Sequence, residues 1–187
     1  GPLIPNDAID LDAEPGGNIA AVAEALGRPA SAITACILDR PRHGDLIGAV
    51  RATGARVKLI PEGDIAGVIA VALADSGVDL FLGTGGAAEG VLAAAALRSL
   101  GGHIEGRLMV RDDGDRALAA AAGITDTGQK FGTMDLAGGD VIFSATGVTP
   151  GPLVEGVRHE GGSVTSHSVV MRSATGTVRW IRANHRP

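Results

Sequence analysis

Three short stretches of this sequence gather residue types suited to phosphate and metal chemistry: DRPRH at 39–43, PEGD at 61–64 and GTGGAAEG at 83–90. In the first, Arg40 and Arg42 flank Pro41, which stiffens the loop. Each guanidinium presents a planar fork that can pair bidentately with an anion, so a rigid pair suits a dianionic phosphate. The same residues also read as a solvated charge cluster at a helix start. In the second, Glu62 and Asp64 stand on either side of Gly63. Two carboxylates so placed can accept hydrogen bonds from sugar hydroxyls or sit near a metal; alternatively Asp64 caps a helix, Gly63 makes the turn and Glu62 is solvated. The third is a glycine loop running into a helix, where free backbone N–H groups and the helix dipole favour an anion. Its first ionisable residue is Glu89, itself an anion. A carboxylate in that turn either ligates a divalent cation or merely offsets the dipole.

Other candidates carry less. The glycine loop fits G-x-G-x-x-A through Gly83, Gly85 and Ala88, which would suggest a dinucleotide site. It falls on the third strand of the alternation, however, and Glu105, the acid at about the right distance, would face the wrong end of the sheet. The five histidines lack metal-ligand spacing, although His43 adjoins the arginine loop. Ser144 and Thr146 have no G-x-S-x-G elbow around them. The lone Cys36 lies in the apolar run ITACIL and reads as a buried small hydrophobe.

The elements that must position these loops alternate. Residues 18–26 have helical spacing, with Asn18 as the expected N-cap and Gly27 as the stop. Strands are expected at 33–38, 56–60, 78–82 and 103–110, and helices at 43–53, 64–74, 87–100 and 113–123. Such alternation across short connections means right-handed βαβ crossovers and a largely parallel sheet with flanking helices. The tail differs: 140–146 is strand-like, and 163–173 and 177–182 flank a turn as an antiparallel hairpin closing one sheet edge. The class is α/β, and with no visible linker the 187 residues are expected to form one domain, 1–187. Ligands of parallel sheets bind beyond the carboxyl ends of the strands, which is where all three loops fall.

Composition narrows the partners. A core without tyrosine, with three Phe and one Trp, must be aliphatic. The net charge of −5 and the lack of a basic, aromatic-studded face argue against nucleic acid. The tract VLAAAALRSL is too short and interrupted to cross a bilayer. With no secretory signal at its opening, the protein is expected in the cytoplasm.

Together, ILDRPRH, IPEGD, GTGGAAEG and VIFSATGVTPGPLVEGV stand in the order and approximate spacing of class II fructose-1,6-bisphosphatases, which the chain resembles over nearly its whole length. That family has the fold of the lithium-sensitive, metal-dependent phosphatases. The resemblance implies that Arg40, Pro41 and Arg42 hold a sugar bisphosphate, that Glu62, Gly63 and Asp64 contact the sugar, and that Gly86 offers a backbone contact. It implies that Glu89 ligates a catalytic Mg²⁺ or Mn²⁺. The family's usual Lys is here Arg40, its usual Asp is Glu62, and the proline before the metal acid is Ala88. The other metal carboxylates and the water-activating threonine loop belong to the family's amino-terminal half, so this chain resembles the carboxy-terminal, substrate-binding half. No catalytic residue is assigned to it, and alone it is expected to be inactive. The implied reaction is hydrolysis of fructose 1,6-bisphosphate in gluconeogenesis, by a homo-oligomer. The alternatives are sedoheptulose-1,7-bisphosphate as substrate, or a non-catalytic sugar-phosphate-binding module.

Overall fold

The computed structural model describes residues 1–186. Helix α1 (Pro15–Ala25) starts earlier than expected, with proline in its first turn, where a fixed φ and a missing N–H cost nothing. Asn18 is therefore not the cap. It lies inside the helix, buried, and its side-chain amide exchanges two 2.9 Å hydrogen bonds with the backbone of Asp10. Strand β1 (Thr34–Leu38) leads through one tight turn at Pro41–His43 into α2 (Gly44–Ala52), then β2 (Arg56–Ile60), α3 (Asp64–Ala70), β3 (Leu80–Phe81) and α4 (Ala87–Leu100).

The three strands form a parallel sheet in the order β2-β1-β3. Central β1 is an apolar run buried from Ala35 to Leu38, as expected of a strand covered on both faces. On one face Ala35 and Ile37 pack with Ile19 and Val22 of α1 and Ile47 and Val50 of α2. On the other, Phe81 meets Val68 of α3 and Ala93 and Leu97 of α4. Helix α3 comes very close: a Cβ added at Gly67 would fall 2.8 Å from Ile60 Cδ1.

Beyond α4 come β4 (Glu105–Gly106), α5 (Asp113–Ala121), β5 (Phe131–Gly132) and α6 (Thr133–Leu136). They are followed by β6 (Ile142–Thr146), β7 (Arg158–Glu160), β8 (Ser163–Arg172) and β9 (Thr177–His185). The expected hairpin is present as β8–β9 and belongs to a four-stranded antiparallel sheet with β6 and β7 on the other side of β8. Phe143, Val169 and Met171 of this sheet pack with Ala96 of α4 and Ile69 of α3. From Ala93 onward alanine-rich α4 is thus buried between two sheets, and its short side chains let both approach.

The strand expected at 103–110 is a correction. Only Glu105 and Gly106 pair, antiparallel to Phe131 and Gly132. The segment is held instead by its side chains. Glu105 accepts the Leu11 N–H, and Arg107 joins Asp12 at 2.7 Å and the Gly128 carbonyl at 2.8 Å. Lys130 bridges Asp10 and Asp12. Hydrogen bonds from Arg107 and then Lys130 hold the Asp12 carboxyl down at about 2. The helix expected to run to residue 74 ends at Ala70 and is followed by a 3₁₀ turn, Ala74–Ser76, closed by left-handed Gly77.

Candidate functional site

Because β1, β2 and β3 run parallel, the loops that follow them leave from one edge of the sheet, with the β1 loop in the middle. The Asp39 N–H donates to the Ile60 carbonyl at 2.8 Å, so the ladder continues one residue past the β1–β2 register. From there the chain turns at Arg40–His43, and the turn is fastened from below by a histidine.

His43 is buried, with 2% of its surface exposed. Its Nδ1 lies 2.9 Å from the Leu38 carbonyl, and the Thr84 N–H donates to its Nε2 at 2.9 Å. The carbonyl can only accept and the amide can only donate, so the proton sits on Nδ1 and Nε2 offers its lone pair. Arg42 grips the other side of the same residue: Nε and Nη2 both donate to the Thr84 carbonyl, at 3.3 and 2.7 Å. The arginine loop therefore holds the glycine loop by both ends of Thr84. Gly83 beside it has φ +155°, and a Cβ there would stand 3.3 Å from His43 Cε1.

The second loop reaches the same place. Gly63 takes a left-handed conformation at the N-cap of α3, and Asp64 opens the helix, its Oδ1 accepting the Ile65 N–H at 3.0 Å. Its other oxygen lies over Gly85, where a Cβ would fall 2.7 Å from it. Glu89, in the first turn of α4, folds back over Gly86, where a Cβ would fall 2.0 Å from Oε2. Two carboxylates thus lie against a stretch of bare backbone. Among the described residues the Arg40 side chain is tied only to the Asp39 carbonyl, at 3.2 Å, and Glu62 is exposed. Arg40, Arg42, Asp64, Gly86 and Glu89 share one edge, with Pro41, Glu62 and Gly63 in the connecting turns.

The donors suit a hard divalent cation in kind, being carboxylate oxygens. They do not suit it in number. Among the described residues no three His, Cys, Asp or Glu side chains converge as a metal-binding group. Cys36 is buried, and desolvation pushes its thiol above the usual range, which opposes a nucleophilic role. Two concavities, of about 350 and 490 Å³, lie elsewhere: one beside Arg98, His103 and Thr133, the other between Lys58 and Trp180.

Sequence reasoning placed His43 beside the arginine loop but gave it no role, and it missed Thr84. The available signal was a polar ring directly ahead of a helix start, in RHGD. No spacing rule says which loop such a ring will fasten.

Residues 1–185 match the sequence model of a family described as bacterial fructose-1,6-bisphosphatase, glpX-encoded. The chain is 40% identical over 191 aligned residues to fructose-1,6-bisphosphatase 1 class 2 of Escherichia coli (strain K12). It is equally similar to the fructose-1,6-bisphosphatases class 2 of Escherichia coli O6:H1 and Shigella flexneri. Each alignment takes in 95% of this chain and 56% of the relative, so the chain spans little more than half the length of the curated relatives it matches. No helix is long and apolar enough to cross a membrane, among the described residues.

Proposed function

Because the chain belongs to the family of bacterial, glpX-encoded fructose-1,6-bisphosphatases, we propose that it is the substrate-binding half of a metal-dependent sugar bisphosphatase. The observation that carries this reading is the double grip on Thr84, which brings the arginine loop and the glycine loop together. The half-free forks of Arg40 and Arg42 take the distal phosphate of fructose 1,6-bisphosphate and so place the phosphate at carbon 1 for hydrolysis. Glu62 and Asp64 accept hydrogen bonds from sugar hydroxyls, and bare Gly86 lets the ligand approach the backbone. Glu89 supplies one carboxylate to Mg²⁺ or Mn²⁺. Such an ion neutralises charge on the transferred phosphoryl group and activates water when bound.

One carboxylate does not hold a catalytic metal, so the remaining ligands come from the amino-terminal half that the longer relatives have room for. The isolated 187-residue chain is accordingly expected to bind sugar bisphosphate without hydrolysing it, and the assembled enzyme to act in gluconeogenesis as a cytoplasmic homo-oligomer. Titrating this chain with fructose 1,6-bisphosphate in a calorimeter tests the binding claim. Binding that Arg40→Ala weakens about ten-fold, the loss of one charge-assisted contact, is expected. Binding indifferent to Arg40 would sink it. In the full-length enzyme Glu89→Gln is expected to abolish Mg²⁺-dependent turnover. The lengthened side chains at Arg40 and Glu62 bear on sugar length, so turnover of sedoheptulose 1,7-bisphosphate is to be measured beside it.

A further inference from the structure

The loop between β3 and α4 is pinned at one residue. Gly83, Gly85 and Gly86 surround Thr84, so the segment has little stiffness of its own. Among the described residues its hydrogen bonds all pass through Thr84, apart from the Gly90 N–H that reaches the Gly86 carbonyl as α4 begins. The Thr84 N–H donates to His43 Nε2 at 2.9 Å, and its carbonyl accepts from Arg42. Directly after this pin come Gly85, against which Asp64 Oδ2 lies, and Gly86, over which Glu89 folds.

The arginine turn does not depend on the ring in the same way. Its own backbone closes it: the Arg40 N–H donates to the Leu38 carbonyl and the His43 N–H to the Arg40 carbonyl, each at 2.9 Å. Pro41 fixes φ between them. Removing the imidazole therefore loosens the glycine loop selectively and leaves it to Arg42 alone. Packing by itself does not call for this ring, since leucine would fill most of the same buried space with no polar atoms to satisfy.

We infer that His43 is a positioning residue for turnover: through Thr84 it holds the backbone of Gly85 and Gly86 and the start of α4, and so fixes where Glu89 is presented. The inference rests on the reading given under Proposed function, in which the arginines take the distal phosphate and Glu89 serves the metal. Loss of the ring then leaves the distal grip intact and misaligns the reacting end, which lowers kcat rather than raising KM.

The test uses the full-length enzyme with His43→Leu, His43→Asn and His43→Gln. The first offers no acceptor, the second is too short to reach Thr84, and the third brings its carbonyl oxygen to where Nε2 stands. Turnover of fructose 1,6-bisphosphate with Mg²⁺ gives kcat and KM, and amide exchange is followed in peptides covering 34–38 and 83–90. In His43→Leu and His43→Asn kcat is expected to fall about ten-fold, the worth of one hydrogen bond, with KM held within about two-fold. Exchange is expected to quicken at 83–90 and not at 34–38, and His43→Gln to recover both kcat and protection. If His43→Leu does not fold, the other two variants carry the comparison. A kcat that does not follow protection of 83–90 across the variants would overturn the inference, as would a raised KM at unchanged kcat. Faster exchange at 34–38 as well, with turnover per folded molecule unchanged, would make the ring a core residue only. A wild-type enzyme without bisphosphatase activity would defeat the reading under Proposed function and the inference with it; an active one indifferent to His43 would defeat the inference alone.

Discussion

Replacing His43 by leucine keeps most of the volume of the ring and deletes both of its hydrogen bonds. The two losses differ. The Leu38 carbonyl also accepts the Arg40 N–H at 2.9 Å, so it keeps a partner. The Thr84 N–H loses its acceptor outright, in a half-buried residue that water can partly reach. One net hydrogen bond and one partly hydrated orphan donor together cost about 1–3 kcal/mol. Urea unfolding of His43→Leu, followed by far-ultraviolet circular dichroism, reads that number. Amide exchange at Thr84 reads its location, since this proton is protected by His43 alone. A loss below about 0.5 kcal/mol, with Thr84 exchange unchanged, would show that the ring is packing and not a fastener. The grip on the glycine loop would then rest on Arg42.

Other perturbations follow from the same geometry. Gly67→Ala places a methyl 2.8 Å from Ile60 Cδ1 and 3.0 Å from Phe81 Cε2; overpacking of about 1–3 kcal/mol is expected by chemical denaturation, with α3 and Asp64 displaced. Gly147→Ala is expected to be worse, because its methyl would meet the Glu155 carbonyl oxygen at 1.9 Å and backbone must move; failure to lower the melting temperature would contradict the packing of that loop. Acid should release residues 10–12 from the 105–130 region. The folded-state value of Asp12 is about 2, depressed by Arg107 and Lys130, so its contribution is complete above the unfolded carboxyl value of roughly 4 and fades as pH falls toward 2. Carboxyl chemical shifts should track this, and Lys130→Ala should move the Asp12 midpoint upward.

The parts legible in the sequence were those governed by local signals. The helix at 87–100 has the expected bounds because Gly86 and Gly101 bracket it, and the strand at 56–60 because the turn at Gly54 and then Pro61 delimit it. At α1 the helix opens on Pro15 and passes through Gly16 and Gly17 before the apolar spacing begins, which made Asn18 look like a cap. The strand expected at 103–110 fits the order of strands and helices but has no neighbour for most of its length, and element order cannot tell whether a partner strand exists. The three loops were visible by residue type, and their common edge follows from parallel topology. That His43 and Arg42 would meet at Thr84 was not legible, since 41 and 42 residues separate them and no pattern encodes a contact at that distance.

The ion cluster at the front of the chain has a consequence for how the protein is made. Leu11 is tied to Glu105, Asp12 to Arg107 and Asp10 to Lys130, at separations of 94, 95 and 120 residues. A ribosome delivers the first partner of each pair long before the second. Residues 10–12 therefore wait unfastened while β1, β2 and β3 assemble, and closing such long loops comes late on entropic grounds. The parallel sheet and its three loops can form without the strap. The strap cannot close without most of the chain, which makes it the last piece of this region to lock and the first to open.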